Sequence, residues 1–221
     1  MLNQLDFDND CQIAGLVDIY NSYFPHKRGT FVDVGAYDGV SFSNTLVLLH
    51  NSWRGVLYEP LKIPFDRMIS TYNNKGYAFD AENIAIGAKD GMIDLWVAGE
   101  YQPLATTNKW VADINLWGDT YKYTLNVPCK TLNTALKSLK GCVSINPGFE
   151  VLNVDVEGSE LAVLEGFDLE YWEPQMVIIE LHEKHVDQRR AFQANTVNLL
   201  FDKHGYKKIH SDEVNTIFYR G

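Results

Sequence analysis

The chain is 221 residues long, which suits one domain with a sizeable core, and its composition is ordinary for a soluble globular protein apart from an enrichment in Tyr, Phe and Trp. A net charge of −10 argues against a broad nucleic-acid-binding face or an anionic membrane surface; no apolar run approaches the roughly 18 residues of a transmembrane helix, and the acidic start MLNQLDFDND lacks the basic segment and apolar core of a signal peptide. The cysteines, Cys11, Cys129 and Cys142, are odd in number and lack CxxC spacing, which argues against a disulfide framework or a zinc site and for a reducing, cytoplasm-like compartment.

Apolar residues Ile13, Leu16, Val17, Ile19, Tyr20, Tyr23 and Phe24 recur at helical spacing, which predicts an amphipathic helix over 11–24 ended by Pro25. Residues 1–29 thus read as an N-terminal helical extension and 30–221 as the main domain. The stretch TFVDVGAYDG, Thr30 to Gly39, then reads as a buried strand running into an acid and a tight glycine turn, with SFSNT opening a helix through Leu46 to Leu49. Gly35 permits backbone geometry that a Cβ resists, and the following helix points its N-terminus at a ligand. A second strand, Val56 to Tyr58, ends in Glu59 about 20 residues past that turn, where dinucleotide-type folds place an acid on ribose hydroxyls.

A helix over 61–72 follows, then a third strand from Tyr77–Phe79 and Asn83–Gly87, and an added strand over Met92–Val97. Residues 99–126 break the rhythm and carry Tyr101, Trp110, Trp117, Tyr121 and Tyr123; an insertion of this length is functional or an interface, including one with a second copy in a homodimer. Val127–Thr131 reads as extended and Leu132–Leu139 as helical. The fourth core strand, Val151–Val156, meets a helix stopped at Gly166; the fifth covers Met176–Glu183, the last helix spans 187–204, and Tyr206–His210 with Val214–Tyr219 make a closing antiparallel pair. Strands alternating with helices predict an α/β fold with a doubly wound, mostly parallel sheet.

Ligands of such sheets sit outside the carboxyl ends of the strands. Four predicted strands end there in acids: Asp33; Glu59; Asp155 with Glu157; and Glu180 with His182. They suit a ligand with hydroxyls and a positive charge, or a metal.

The series DVGAYDG, SFSNT, WRGVLYEP, NVDVEGSELAVLEGFD and VIIELHE, covering about residues 30–183, resembles the FkbM family of S-adenosylmethionine-dependent methyltransferases. The sequence departs from the general class I pattern at Tyr37, where a further glycine is common, and at Asn133, where an acid is usual, so no role is carried onto Asn133. The resemblance implies a Rossmann-like class I methyltransferase sheet with an antiparallel C-terminal strand, and S-adenosylmethionine as cofactor. Asp33, Gly35, Ala36, Gly39 and Ser43 would hold its amino-acid half, Glu59 its ribose, and Asn83 and Ile84 its adenine. Asp155 would face both methyl donor and acceptor. The family acts mostly by O-methylation on sugars and natural products, so a saccharide or glycan acceptor is expected, with a glycosyltransferase neighbour or fused domain as a possible companion and no nucleic acid or membrane partner.

A sugar hydroxyl is barely ionised at neutral pH, so a base is useful. His182 has a suitable titration range, with Asp155 or Glu180 to orient it. Alternatively Asp155, Glu180 and His182 hold a divalent ion, Mg or Mn, that acidifies the hydroxyl. Glu157, Trp110, Trp117 and Tyr121 are the candidate acceptor contacts, the rings by stacking on a sugar face. Competing readings are a polyketide-like or other small hydroxylated acceptor, and an inactive cofactor-binding partner module. A dinucleotide dehydrogenase is disfavoured because Tyr37 interrupts GxGxxG.

Overall fold

The computed structural model describes residues 11–25, 28–98, 104–114, 123–183 and 188–221. Helix α1 (Leu16–Tyr23) leads into strand β1 (Thr30–Val34), helix α2 (Leu46–His50), β2 (Arg54–Tyr58), α3 (Lys62–Lys75) and β3 (Ala78–Glu82). A second group follows: β4 (Ala85–Ile86), β5 (Gly91–Val97), β6 (Ala105–Thr106), α4 (Lys109–Ile114) and β7 (Tyr123–Lys130). The chain then returns through α5 (Leu132–Ser138), β8 (Val151–Val154), α6 (Glu160–Glu165), α7 (Leu169–Trp172), β9 (Met176–Glu180), α8 (Gln188–Lys203), β10 (Lys207–Ser211) and β11 (Asn215–Tyr219). Among the described residues no helix is long and apolar enough to cross a membrane.

The main sheet has the order β10-β11-β9-β8-β1-β2-β3. Its five central strands are parallel, while β11 runs antiparallel to both β9 and β10. The central strands are short apolar runs because both faces are covered. Alternation along each strand sorts its side chains into two layers. Val32, Val34, Leu152, Val154, Val177 and Ile179 pack with residues of α5, α6 and α8 on one face. Phe31, Leu57, Val151 and Ile178 pack with α1, α2 and α3 on the other. Strand order runs outward from β1 toward β3 on one side and from β8 toward β9 on the other. The ligand-binding crevice of such a sheet therefore lies between the carboxyl ends of β1 and β8.

The predicted third strand is divided. β3 stops at Glu82, and Ala85–Ile86 pairs instead with Cys129–Lys130 in a separate four-stranded sheet, order β4-β7-β5-β6. The added strand over 92–97 belongs there too, antiparallel to β7 from Gly91↔Cys129 to Val97↔Tyr123. This sheet has its own small core of Leu61, Ala85, Leu95, Val97, Val127 and Cys129. The supposed irregular insertion over 99–126 thus contains β6, α4 and the first residues of β7. Helix α1 is shorter than expected and begins after Gly15 in the left-handed region (φ 73°). Helix α7 is an addition to the predicted elements. Asn133 Oδ1 holds its entry, accepting from Asp168 N (3.0 Å) and Trp172 Nε1 (2.9 Å), so the residue that stands where the family has an acid serves packing here.

β1 and β8 can come this close only because Gly35 has no side chain. Its φ is +89°, and a Cβ there would lie 1.7 Å from the Asp155 carbonyl oxygen. Gly35→Ala therefore must open the β1–β8 edge. The expected outcome is a loss of at least ~2 kcal/mol in urea unfolding, with lowered ligand affinity. A change under ~0.5 kcal/mol would refute this close approach.

Candidate active site

Asp33 sits one residue before the end of β1 and is 2% exposed. Thr45 Oγ1 donates to its Oδ2 (2.6 Å) and Asn153 Nδ2 to its Oδ1 (2.9 Å). Burial raises its pKa, and these two bonds counter the rise by favouring the carboxylate. Asn153 is its register partner across β1 and β8. Asn44 joins the network by donating to Asn153 Oδ1 and Gln12 Oε1 (both 3.4 Å), and Tyr20 of α1 donates to the Asn44 carbonyl (2.8 Å). Asn44, Thr45 and Asn153 were missed as site residues. The available signal was Asn153, an amide inside the otherwise apolar run VLNV.

Glu59 follows β2 directly and is 5% exposed. Its Oε2 accepts from Tyr37 N (2.9 Å) and its Oε1 from Leu61 N (2.7 Å), so it ties the glycine turn to the start of α3. Burial drives its pKa up to about 7, against the pull of those backbone bonds.

These groups border a cavity of about 500 Å³ at the switch point. Asp33, Gly35, Ala36, Ser43 and Glu59 line one part, Ile84 with Ile86 and Leu95 give an apolar wall, and Asp155 with Glu157 line the far side. Two expected cofactor contacts lie outside the lining. Gly39 faces α3, where a Cβ would meet Tyr72 Oη at 2.5 Å, and that hydroxyl donates to the Gly39 carbonyl (2.6 Å). Asn83 Nδ2 donates to the carbonyls of Glu59 (2.8 Å) and Pro60 (3.0 Å), bracing the loop that carries Glu59.

The carboxyl ends of β8 and β9 form an acidic edge. Glu157 adopts φ 55° and Gly158 φ 93°, so the chain turns sharply before α6. Glu160 beneath it is 1% exposed and accepts from Gly158 N (2.9 Å) and Gln193 Nε2 (2.6 Å). Glu180 is 4% exposed and His182 5%. His182 Nε2 lies 2.8 Å from Glu180 Oε1, and neither residue lines the cavity. Burial raises the pKa of both Asp155 and Glu180, and Glu180 is driven further by the charges of Asp155, Glu157 and Glu160. Among the described residues, the metal-competent group is Asp155, Glu157 and Glu180, whose ligating oxygens all lie within 4.8 Å of one another. Glu157 thus takes the place expected for His182, which has φ 46° and meets Glu180 Oε1.

Trp110 is half-buried on α4 and is not part of the cavity wall; Trp117 and Tyr121 lie outside the described residues. Ala105 and Thr107 of the insertion do reach the cavity. The same corner is fastened to the acidic edge. Thr107 Oγ1 donates to Ser159 Oγ (2.7 Å), Asn108 Nδ2 donates to the Gly158 carbonyl (2.7 Å), and Val111 covers Gly158.

The buried Glu59 predicts a pH dependence. Its folded pKa of about 7 lies above its unfolded value of 4.5. Its contribution to stability is therefore full below pH 4.5 and is lost as pH rises toward 7. Across that window the stability of the wild type relative to Glu59→Gln should fall by about 3 kcal/mol, read from urea unfolding at each pH. A flat difference would mean that folding leaves the pKa of Glu59 at its unfolded value.

The sequence matches the model of the methyltransferase FkbM domain over residues 33–208. None of the curated proteins matches it. Among solved structures, a Klebsiella pneumoniae protein described as an O-methyltransferase superimposes with a TM-score of 0.51 at 8% identity, covering 92% of this chain and 77% of that one. A Staphylococcus aureus protein described as a caffeoyl-CoA O-methyltransferase gives 0.50 at 9% identity, covering 93% and 82%. At these identities the likeness concerns the fold alone. The cofactor such a fold implies is S-adenosylmethionine, and the cavity fits it: Glu59 offers carboxylate oxygens for a ribose diol, the Ile84–Ile86 wall suits adenine, and Gly35 opens the turn between them. With the family model covering most of the chain and the strand order that of a class I fold, the protein belongs to the FkbM family of methyltransferases.

Proposed function

We propose that the protein transfers the methyl group of S-adenosylmethionine to a hydroxyl of a sugar or glycan. The observation that carries this reading is the polar share of the cavity lining, where Asp155, Glu157 and Thr107 offer hydrogen-bond partners. A small, largely apolar metabolite would be better served by an apolar wall there. The cofactor supplies a sulfonium methyl: the acceptor oxygen bonds the methyl carbon, the carbon–sulfur bond breaks with its electron pair left on sulfur, and the hydroxyl proton leaves.

Much of the rest is positioning. Glu59 and the apolar wall fix the nucleoside end, while the Asp33 network sets the turn at the amino-acid end. Asp155 orients the acceptor hydroxyl and accepts its proton. His182 acts through Glu180, which it touches, and is a positioning residue. Phe42, 67% exposed on the rim, offers a ring face to an acceptor. A divalent cation at the same edge is compatible with this reading.

The test is a screen of the purified protein against methylatable sugars and small hydroxylated metabolites, scored by mass for a gained methyl and by S-adenosylhomocysteine release. A methylated sugar is the expected product. Asp155→Asn should lower turnover at least ~100-fold while cofactor affinity changes less than ~3-fold. Methylation of the metabolites alone would overturn the glycan assignment. Cofactor binding without turnover on any acceptor would point to a partner module instead.

A further inference from the structure

We infer that Asp155, Glu157 and Glu180 hold a divalent cation of the oxygen-preferring class, Mg²⁺ by chemistry, and that the acceptor is a hydroxyl with a second oxygen close enough to share that ion. The site itself stands on the carboxylate geometry; only its consequence for the acceptor rests on the methyltransferase reading.

The first support is spacing. Ligand oxygens at ~2.1 Å from one octahedral ion are about 3 Å apart when adjacent and about 4.2 Å apart when opposite. The three carboxylates present oxygens within 4.8 Å of one another, so one ion can bridge them with small side-chain adjustments. They come from two strand ends, Asp155 and Glu157 after β8 and Glu180 at the end of β9, which fixes their relative positions through the β8–β9 pairing.

The second support is Glu180 itself. Its side chain is 4% exposed, its Oε1 meets His182 Nε2 at 2.8 Å, and its Oε2 has no hydrogen-bond donor among the described residues. A carboxylate oxygen buried next to other carboxylates needs a proton or a cation between them. Among the described residues no lysine or arginine pairs with Asp155 or Glu180. A shared proton fills that gap at Glu180 Oε2; an ion fills it too and also takes an oxygen from Asp155 and Glu157.

The third support is access. Asp155 and Glu157 line the cavity, whereas Glu180 is buried and does not line it. An ion held there has its protein ligands on one side and open positions on the cavity side. That is the arrangement of a catalytic site rather than a structural one. His182, with Nε2 at 2.8 Å from Glu180 Oε1, orients this ligand. Two neighbouring oxygens of one acceptor, as in a vicinal diol or a hydroxy acid, would fill the open positions, and the ion would make the attacking hydroxyl more acidic.

Mn²⁺ is the probe, titrated into the purified full chain without cofactor or acceptor and followed by the electron paramagnetic resonance of the free ion. One Mn²⁺ per chain is expected, displaced by Mg²⁺. Glu157→Gln and Glu180→Gln should each weaken binding at least ~10-fold. Glu157 lies on the cavity surface, so its variant decides the matter if the buried Glu180→Gln fails to fold. Absence of Mn²⁺ binding at millimolar concentration, or an affinity unchanged in Glu157→Gln, would overturn the site and leave the shared proton. S-adenosylhomocysteine affinity on the same samples separates the two readings: its absence in the wild type would sink the methyltransferase assignment without touching the metal result.

Discussion

The geometry of the site depends on one close approach. Gly35 passes the Asp155 carbonyl at a distance no side chain would permit, and Asp155 N in turn donates to the Val34 carbonyl (2.9 Å). That contact brings the glycine turn after β1 and the acidic turn after β8 to the same crevice. Gly35 N and Ala36 N also donate to the Tyr58 carbonyl (2.9 and 3.1 Å), which brings in the end of β2 and hence Glu59. Three strand ends are thus fixed to one another by backbone alone. Their side chains are left to do chemistry.

The arrangement is expensive in electrostatic terms. Asp33, Glu59, Glu160 and Glu180 are all buried, and burial is the first cause of the raised pKa of each. Backbone and amide donors offset part of the penalty at Asp33, Glu59 and Glu160. Glu180 lacks that help on one oxygen. Strain accumulates in the same place: Tyr37, Phe42, Glu157 and His182 all have positive φ in loops at the carboxyl edge, at about 1 kcal/mol or more each. A sheet built only for stability would carry neither the charges nor the strain. A site that must meet a cation and several hydroxyls has use for both.

What could be read from the sequence follows from how local each signal is. Central strands buried on both faces are continuous apolar runs, and the acids at their ends stand out against them; Asp33, Glu59 and Asp155 were visible for that reason, as was the order of the main elements. The second sheet was not. Its strands β4 and β6 are two residues each, too short for any period to register, and β7 starts in the exposed stretch Tyr123–Asn126. Fine placement at the site was hidden as well. Sequence spacing puts His182 two residues beyond Glu180, but it does not say whether that ring joins the group of Asp155, Glu157 and Glu180 or meets Glu180 alone. The supporting amides Asn44 and Asn153 depend on pairing across 109 residues, for which no local pattern exists.

The same long-range logic links the insertion to the chemistry. A segment that merely walled the acceptor would need no bond to the acidic turn, yet Thr107 and Asn108 fasten its corner to Ser159 and Gly158, and Val111 fills the space over Gly158 that a side chain would occupy. Glu157 sits immediately before those anchor points and adopts a backbone conformation that costs energy, so it relies on its surroundings to stay there. On the proposed reading, an acceptor that presses on residues near Thr107 would act on the same turn that carries Glu157. That reading makes acceptor fit and carboxylate placement two ends of one packed corner, and it places changes of acceptor preference at Thr107, Asn108 and Val111 as much as in the cavity wall.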